Sequence, residues 1–248
     1  MKINTIEEAR HKVRQTVIVA LDLASKAEAL ELVDVLDGRI AHFKVGHRLY
    51  TRYGPALLDE CADRGVKIFL DLKLYDIPSV VGDACATIAG HEAVFMTTVH
   101  ASGGAQMLRA AAEGVNSGAD AGDRPAVLAV TALTSFSSES LPEIGVGMGV
   151  EKWAMRLGDL AIECGVDGLV SSTREVAGLR VAHGKAPLLV TPGIRLAGVH
   201  IAGDDQERID SPRAALRAGS SMLVIGRPVY QAPDPVAVVE AIAESLQD

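Results

Sequence analysis

The chain has 248 residues, 48% hydrophobic and 23% charged, and its 24 Lys and Arg against 32 Asp and Glu give a formal net charge of −8 at pH 7. That length suits one large domain or two small ones, and the composition provides a sizeable core and excludes a disordered chain. The acidic balance argues against nucleic acid or an anionic membrane surface as the main partner and leaves a small molecule as the expected one. Three widely spaced cysteines, Cys61, Cys85 and Cys164, form no C-x-x-C pair and read as buried reduced thiols rather than a disulfide frame or zinc site. The opening MKINTIEEARHKVRQ has no apolar h-region, and no apolar run approaches the ~18 residues of a membrane span, so a cytoplasmic protein is expected.

Along the chain, short apolar runs alternate with helix-like segments. Residues 16–21 (TVIVAL) end at Asp22, and 41–45 (AHFKV) carry Lys44. Residues 66–72 (VKIFLDL) end in Asp71 and Lys73, and 93–99 (AVFMTTV) lead to His100. Residues 126–131 (AVLAVT) end at Thr131, and 168–171 (GLVS) end at Ser171 and Ser172. Residues 188–191 (LLVT) run into Pro192-Gly193-Ile194-Arg195, and 222–225 (MLVI) into Gly226-Arg227. These eight runs are short and nearly continuous in hydrophobicity, the pattern of parallel strands covered on both faces. Segments such as 26–37 (KAEALELVDVLD) and 151–165 (EKWAMRLGDLAIECG) have helical spacing, the second stopped by Gly165.

Eight strand–helix units in one evenly composed chain predict a single-domain (β/α)8 TIM barrel over residues 1–248, with a doubly wound sheet as the alternative. In a barrel, functional groups gather at the C-terminal ends of the strands, where the polar residues named above fall.

Asp71 and Lys73 lie two apart on a strand and point to the same side if Leu70 and Leu72 face the helices. Lys44 and Asp22 come from neighbouring strands, and charges alternating in sign hold one another ionised. The set reads as a catalytic constellation or as a structural salt-bridge plug; its place at the catalytic end favours the first. The loops VTPGIR and VIGRP suit a phosphate grip, with backbone N–H groups and an Arg fork around the dianion, or are ordinary tight turns. The run 144–150 (IGVGMGV) lacks the strand and spacing of a nucleotide loop and reads as a flexible active-site loop. In VHASGGA, Ser102 is placed to cap a helix, and His100 to orient rather than to activate a nucleophile. No His, Cys and carboxylate set has metal-ligand spacing, so no metal or cofactor is expected.

Taken in order, VALDL, FKVG, FLDLKLYDIP, VHASGG, VTALTS, VTPGIR and VIGRP resemble the bacterial orotidine 5′-phosphate decarboxylases from about Val17 to Tyr230. The D-x-K-x-x-D element alone is shared with sugar-phosphate decarboxylases and hexulose-phosphate synthases of the same barrel superfamily. The resemblance implies conversion of orotidine 5′-phosphate to uridine 5′-phosphate and carbon dioxide by a cofactor-free homodimer. It implies Lys73 as proton donor, Asp71 against the departing carboxylate, and Lys44 and Asp22 completing the charge network and binding ribose hydroxyls. Asp76, with Ile77, Pro78, Ser79 and Val80 of its turn, is implied to reach the substrate in a second subunit's site. Thr131 is implied to contact the pyrimidine, and the phosphate end to comprise Pro192, Arg195, Gln206, Gly226 and Arg227, closed by the loop 196–206.

Two departures stand out. The family turn Asp-Ile-Pro-Asn-Thr reads Asp76-Ile77-Pro78-Ser79-Val80 here, and Val80 cannot donate a hydroxyl hydrogen bond, so that contact is lost or passes to Ser79. The segment after Arg195 lacks the family's proline and is slightly long. The rival functions are a magnesium-dependent sugar-phosphate decarboxylase or aldolase and a non-catalytic nucleotide-binding barrel.

Overall fold

A computed structural model describes residues 3–119, 124–137, 139–195 and 210–247. Among them, eight parallel strands close into a barrel in sequence order: β1 (Val17–Ala20), β2 (His42–Gly46), β3 (Lys67–Leu74), β4 (Val94–His100), β5 (Ala126–Val130), β6 (Gly168–Val170), β7 (Leu188–Thr191) and β8 (Met222–Ile225). β8 pairs back onto β1, which rules out the doubly wound alternative. Strand ends differ from the expected runs by one or two residues, most consequentially at β3, which continues through Lys73 to Leu74.

The continuous apolar runs follow from burial on both faces. Ile18, Ala20, Phe69, Met96, Leu128, Val190, Met222 and Val224 point inward and fill the barrel. Their outward neighbours Val17, Val19, Phe43, Val45, Ile68 and Leu70 pack against the helices, with Leu72 alongside. Lys44 and Asp71, each flanked by outward-facing residues, therefore turn in.

Local signals set the helix limits. Ser25 and Glu28 form a capping box at the helix Lys26–Val35, as Thr5 and Glu8 do at Ile6–Thr16. Gly165, at φ 86, follows the helix Val150–Glu163 and its cap Cys164, as expected of a glycine stop. Ser102 does not cap a helix. A 3₁₀ turn, Ala101–Gly103, intervenes after β4, so Ser102 lies within it, and Gly103 heads the helix Gly104–Gly118 without a side-chain cap.

That helix packs unusually close to Pro78–Ala89. A Cβ at Gly114 would stand 2.3 Å from the Gly82 carbonyl oxygen, and one at Gly118 only 2.0 Å from that of Ala86. Two backbones thus meet directly, which anchors the helix that begins at the turn 76–80.

The N-terminal ends of the strands are tied by arginines. Arg124 forks onto Asp167, just ahead of β6, with nitrogen–oxygen distances of 2.8 and 2.7 Å, and Asp167 also accepts the Val127 N–H at 2.8 Å. Arg180 donates to the carbonyls of Gly184, Pro187 and Gly219 and to the Ser221 hydroxyl, at 2.8 to 3.0 Å. No helix among the described residues is long and apolar enough to cross a membrane.

Candidate active site

At the C-terminal end of the barrel lies a cavity of about 280 Å³. Asp22, Lys44, Asp71 and Lys73 line it from β1 to β3; Pro192, Gly193, Arg195, Gly226, Arg227 and Tyr230 line it from β7 and β8. Ala20, Phe69, Val130 and Val224 line it from the barrel interior, and Ala132, Leu133, Thr134, Val170 and Ser171 from the ends of β5 and β6.

The four charges form one network. Asp71 Oδ2 lies 2.7 Å from Lys73 Nζ and 3.5 Å from Lys44 Nζ, and Lys44 Nζ lies 3.2 Å from Asp22 Oδ1. Gly46 makes room for it, since a Cβ there would stand 2.9 Å from Lys44 Nζ. Arg48 steadies the segment beyond β1 by donating to the Asp22 carbonyl at 2.8 Å.

Burial alone would drive Asp71 toward its neutral form, but Lys44, then Lys73, with hydrogen bonds from Lys73 and Thr98, together hold its carboxyl below the usual range. Burial likewise opposes the charge on Lys44, and Asp71 and Asp22 outweigh it, raising that ammonium above its ordinary value. Both stay ionised at neutral pH. His100, at the end of β4, is pulled down by burial first and then by Lys73, and its ring meets Tyr75 edge-on at 5.8 Å.

Lys73 is the one non-glycine residue with a positive φ among those described, at 48°. A left-handed backbone costs a side-chain-bearing residue about 1–2 kcal/mol. It arises because the β3–β4 register slips: Leu70 pairs with Thr97 but Leu74 with Val99, so β3 spends four steps where β4 spends two. Simple alternation predicts the right wall for Lys73 but not this bulge. The Lys73 N–H donates to Thr98 Oγ1 at 2.8 Å, and the Thr98 hydroxyl donates to Asp71 Oδ1 at 3.0 Å.

The remaining expected site residues divide. Thr131 does not line this cavity; its hydroxyl donates to the Val170 carbonyl at 3.1 Å. It borders a second, wider cavity on the other side of Lys73, shared with His47, Tyr75, His100, Phe136, Ile144 and Trp153. Asp76, Ile77, Ser79 and Val80 are exposed and Pro78 half-buried; all five lie outside the cavity, with Asp76 accepting its neighbour Ile77's N–H at 2.7 Å. Asp76 makes no ion pair with Lys73 within the chain among the described residues. Arg195 is buried; its backbone N–H donates to Asp210 and its guanidinium to the Ile194 carbonyl, both at 2.9 Å. Gln206 and the loop 196–206 lie outside the described residues. In the run 144–150, Gly145 is left-handed, Val146 packs against a small apolar cluster, and Ile144 borders the second cavity.

Sequence reasoning missed Thr98, Leu133, Thr134, Val170 and Tyr230. Two had a readable signal: Thr98 precedes His100 by two on a strand and so shares its face, and Tyr230 lies one helical turn after Arg227. No group of three or more His, Cys, Asp or Glu that could hold a metal ion occurs among the described residues.

Known proteins resemble the chain over most of its length. Residues 15–242 match the model of the orotidine 5′-phosphate decarboxylase / HUMPS family. An orotidine 5′-phosphate decarboxylase of Chromobacterium violaceum is 43% identical over 241 residues, 97% of this chain and 95% of that one. One from Neisseria gonorrhoeae is 46% identical over 231 residues, 92% and 91% of the two chains. The crystal structure of orotidine 5′-phosphate decarboxylase from Lactobacillus acidophilus superposes with a TM-score of 0.83 at 36% identity, covering 94% of this chain and all of the other.

Proposed function

The chain belongs to the orotidine 5′-phosphate decarboxylase / HUMPS family, and from that premise we propose that it converts orotidine 5′-phosphate to uridine 5′-phosphate and carbon dioxide, with Lys73 as the proton donor. The observation that carries the reading is an ammonium group 2.7 Å from a buried carboxylate, in one cavity with two arginines on the opposite side.

The chemistry asks for that arrangement. Breaking the bond to the carboxyl carbon leaves its electron pair on a ring carbon with no adjacent electron sink. Positive charge already fixed beside that carbon lowers the barrier. Lys73, aimed by its 2.7 Å bond to Asp71, stabilises the carbanion and then delivers a proton to it, giving the product without a cofactor. Asp71 lies against the departing carboxylate, and Lys44 and Asp22 bind the ribose hydroxyls. Arg195, Gly226 and Arg227, with Pro192 and Gln206, hold the 5′-phosphate, and binding energy from that remote group fixes the substrate at the reacting end. Thr131 takes the pyrimidine only if its bond to Val170 is exchanged.

We assign a homodimer with shared sites. Supporting it, Tyr75, Ile77, Val80 and Ile144 are four of the exposed large hydrophobic residues, and all lie on the turn 75–80 or at the second cavity. Asp76 of one subunit then completes the clamp on Lys73 of the other. Val80 gives this contact apolar area where the family has a hydroxyl, with Ser79 left to donate. De novo pyrimidine synthesis in the cytoplasm fits this chemistry and the three buried free thiols.

The test is the loss of orotidine 5′-phosphate absorbance in the presence of a chelator. Sustained turnover supports the reading; activity abolished by the chelator favours a metal-dependent sugar-phosphate enzyme instead. Mixing Lys73→Ala with Asp76→Ala subunits should restore part of the activity, because one site of each hybrid has both groups. No recovery in verified heterodimers would exclude the shared site.

A further inference from the structure

We infer that Thr98 is a positioning residue for the proton donor: its single hydroxyl fixes the backbone of Lys73 and the carboxylate of Asp71 relative to one another. The inference rests on the proposed decarboxylase reading for its kinetic arm. Thr98 is fully buried, does not line the cavity and therefore acts through its neighbours.

The bulge in β3 creates the need for it. Between the pairs Leu70–Thr97 and Leu74–Val99, the β3 backbone leaves the regular ladder, and Lys73 turns left-handed. The Lys73 N–H is satisfied by the Thr98 side chain instead. Donor and acceptor directions are forced: the amide can only donate, the ionised Asp71 can only accept, and the hydroxyl has one hydrogen to give. Thr98 therefore accepts from Lys73 and donates to Asp71 Oδ1, which leaves Oδ2 for the two ammonium groups. One oxygen thus sets both ends of the Lys73–Asp71 pair, and β-branching holds that oxygen in few rotamers.

The experiment compares Thr98→Val, which keeps the shape and removes the hydroxyl, with Thr98→Ser, which keeps the hydroxyl. Thr98→Val is expected to lower kcat by about tenfold or more while KM and uridine 5′-phosphate affinity stay within about threefold, because the phosphate end is untouched. The acid limb of its kcat profile should move to higher pH, since Asp71 loses a hydrogen bond to its charged form. Thr98→Ser should remain within about threefold of the parent. If Thr98→Val does not fold, Thr98→Cys, with its weaker donor, carries the same expectation. An unchanged kcat and acid limb, or a loss that Thr98→Ser shares in full, overturns the inference.

A parent enzyme that leaves orotidine 5′-phosphate intact refutes the decarboxylase reading, and Thr98 is then judged without turnover. Carboxyl NMR titration and crystal structures of the Thr98→Val protein should show a raised Asp71 midpoint and a displaced Lys73 backbone. Both unchanged overturns the inference on its own.

Discussion

The two ends of the barrel use the same residue types to opposite purposes. At the N-terminal end the arginines are tied to structural acceptors: Arg180 is saturated by three carbonyls and a hydroxyl, and Arg124 forks onto a carboxylate that also takes a backbone N–H. At the C-terminal mouth two ammonium groups share one carboxylate oxygen, and among the described residues Lys73 has one hydrogen-bonded partner for three donors. Saturated charge locks strand starts together. Charge left with spare donors faces a cavity and is available to something that enters it.

The sharpest way to break this contrast is at Lys73. Lys73→Ala is expected to lower kcat by about 10³-fold or more, since it removes both the fixed charge and the proton. Thermal stability should change little, because Asp71 keeps Lys44 and Thr98 as partners and the backbone strain, which comes from Cβ, is the same for alanine. Near-normal turnover would end the assignment.

Arg180→Met should do the reverse. Four acceptors lose a charged donor, so unfolding in denaturant should become easier by about 2–3 kcal/mol while kcat per folded molecule is unchanged. Equal loss of stability and kcat would erase the distinction between the ends.

Gly46→Ala sharpens it at the mouth. A methyl 2.9 Å from Lys44 Nζ requires that group to shift within the network. Activity is expected to fall about tenfold with little change in melting temperature, and full activity would mean that the network yields without consequence.

The network should also have a pH signature. Asp71's folded value is depressed, so its contribution is present above the unfolded value of about 3.9 and is lost as pH falls through the lower folded one. Lys44's is raised, so its contribution is present below about 10.4 and is lost as pH rises through the higher folded one. Unfolding free energies of the parent minus those of a Lys44→Met/Asp71→Leu protein should therefore fall at both extremes. A difference that ignores pH would contradict the pairing.

The smallest effect is expected from Arg124→Ala. The pair with Asp167 is about a third exposed on the arginine side, so after solvent screening the loss should be roughly 0.5–1 kcal/mol and shrink in salt.

Much of this was legible from residues alone. β-branched runs with polar ends specify the strands and their functional end, and Asp22, Lys44, Asp71 and Lys73 meet as alternation requires. What was not legible depends on partners distant in sequence. The bulge in β3 comes from its pairing with β4, so neither the left-handed Lys73 nor the role of Thr98 is written in the LDLK stretch itself. The resemblance implies that Thr131 contacts the pyrimidine; the bond of its hydroxyl to a carbonyl at the end of β6 involves a neighbour that pattern reading does not supply. VHASGGA has the pattern of a cap at Ser102, but a single 3₁₀ turn displaces it.

Lys73 finally illustrates a conflict between folding and selection. At φ 48° the residue favoured by the backbone is glycine, and at this position glycine would remove the proposed chemistry. A search for sequences that merely fold well would discard the lysine early. An organism that depends on the product could not, and the strain is then retained as the trace of a requirement imposed from outside the fold. Positions where the least strained residue is avoided can be sought in any barrel without knowing its substrate, and here such a search leads to the mouth of β3.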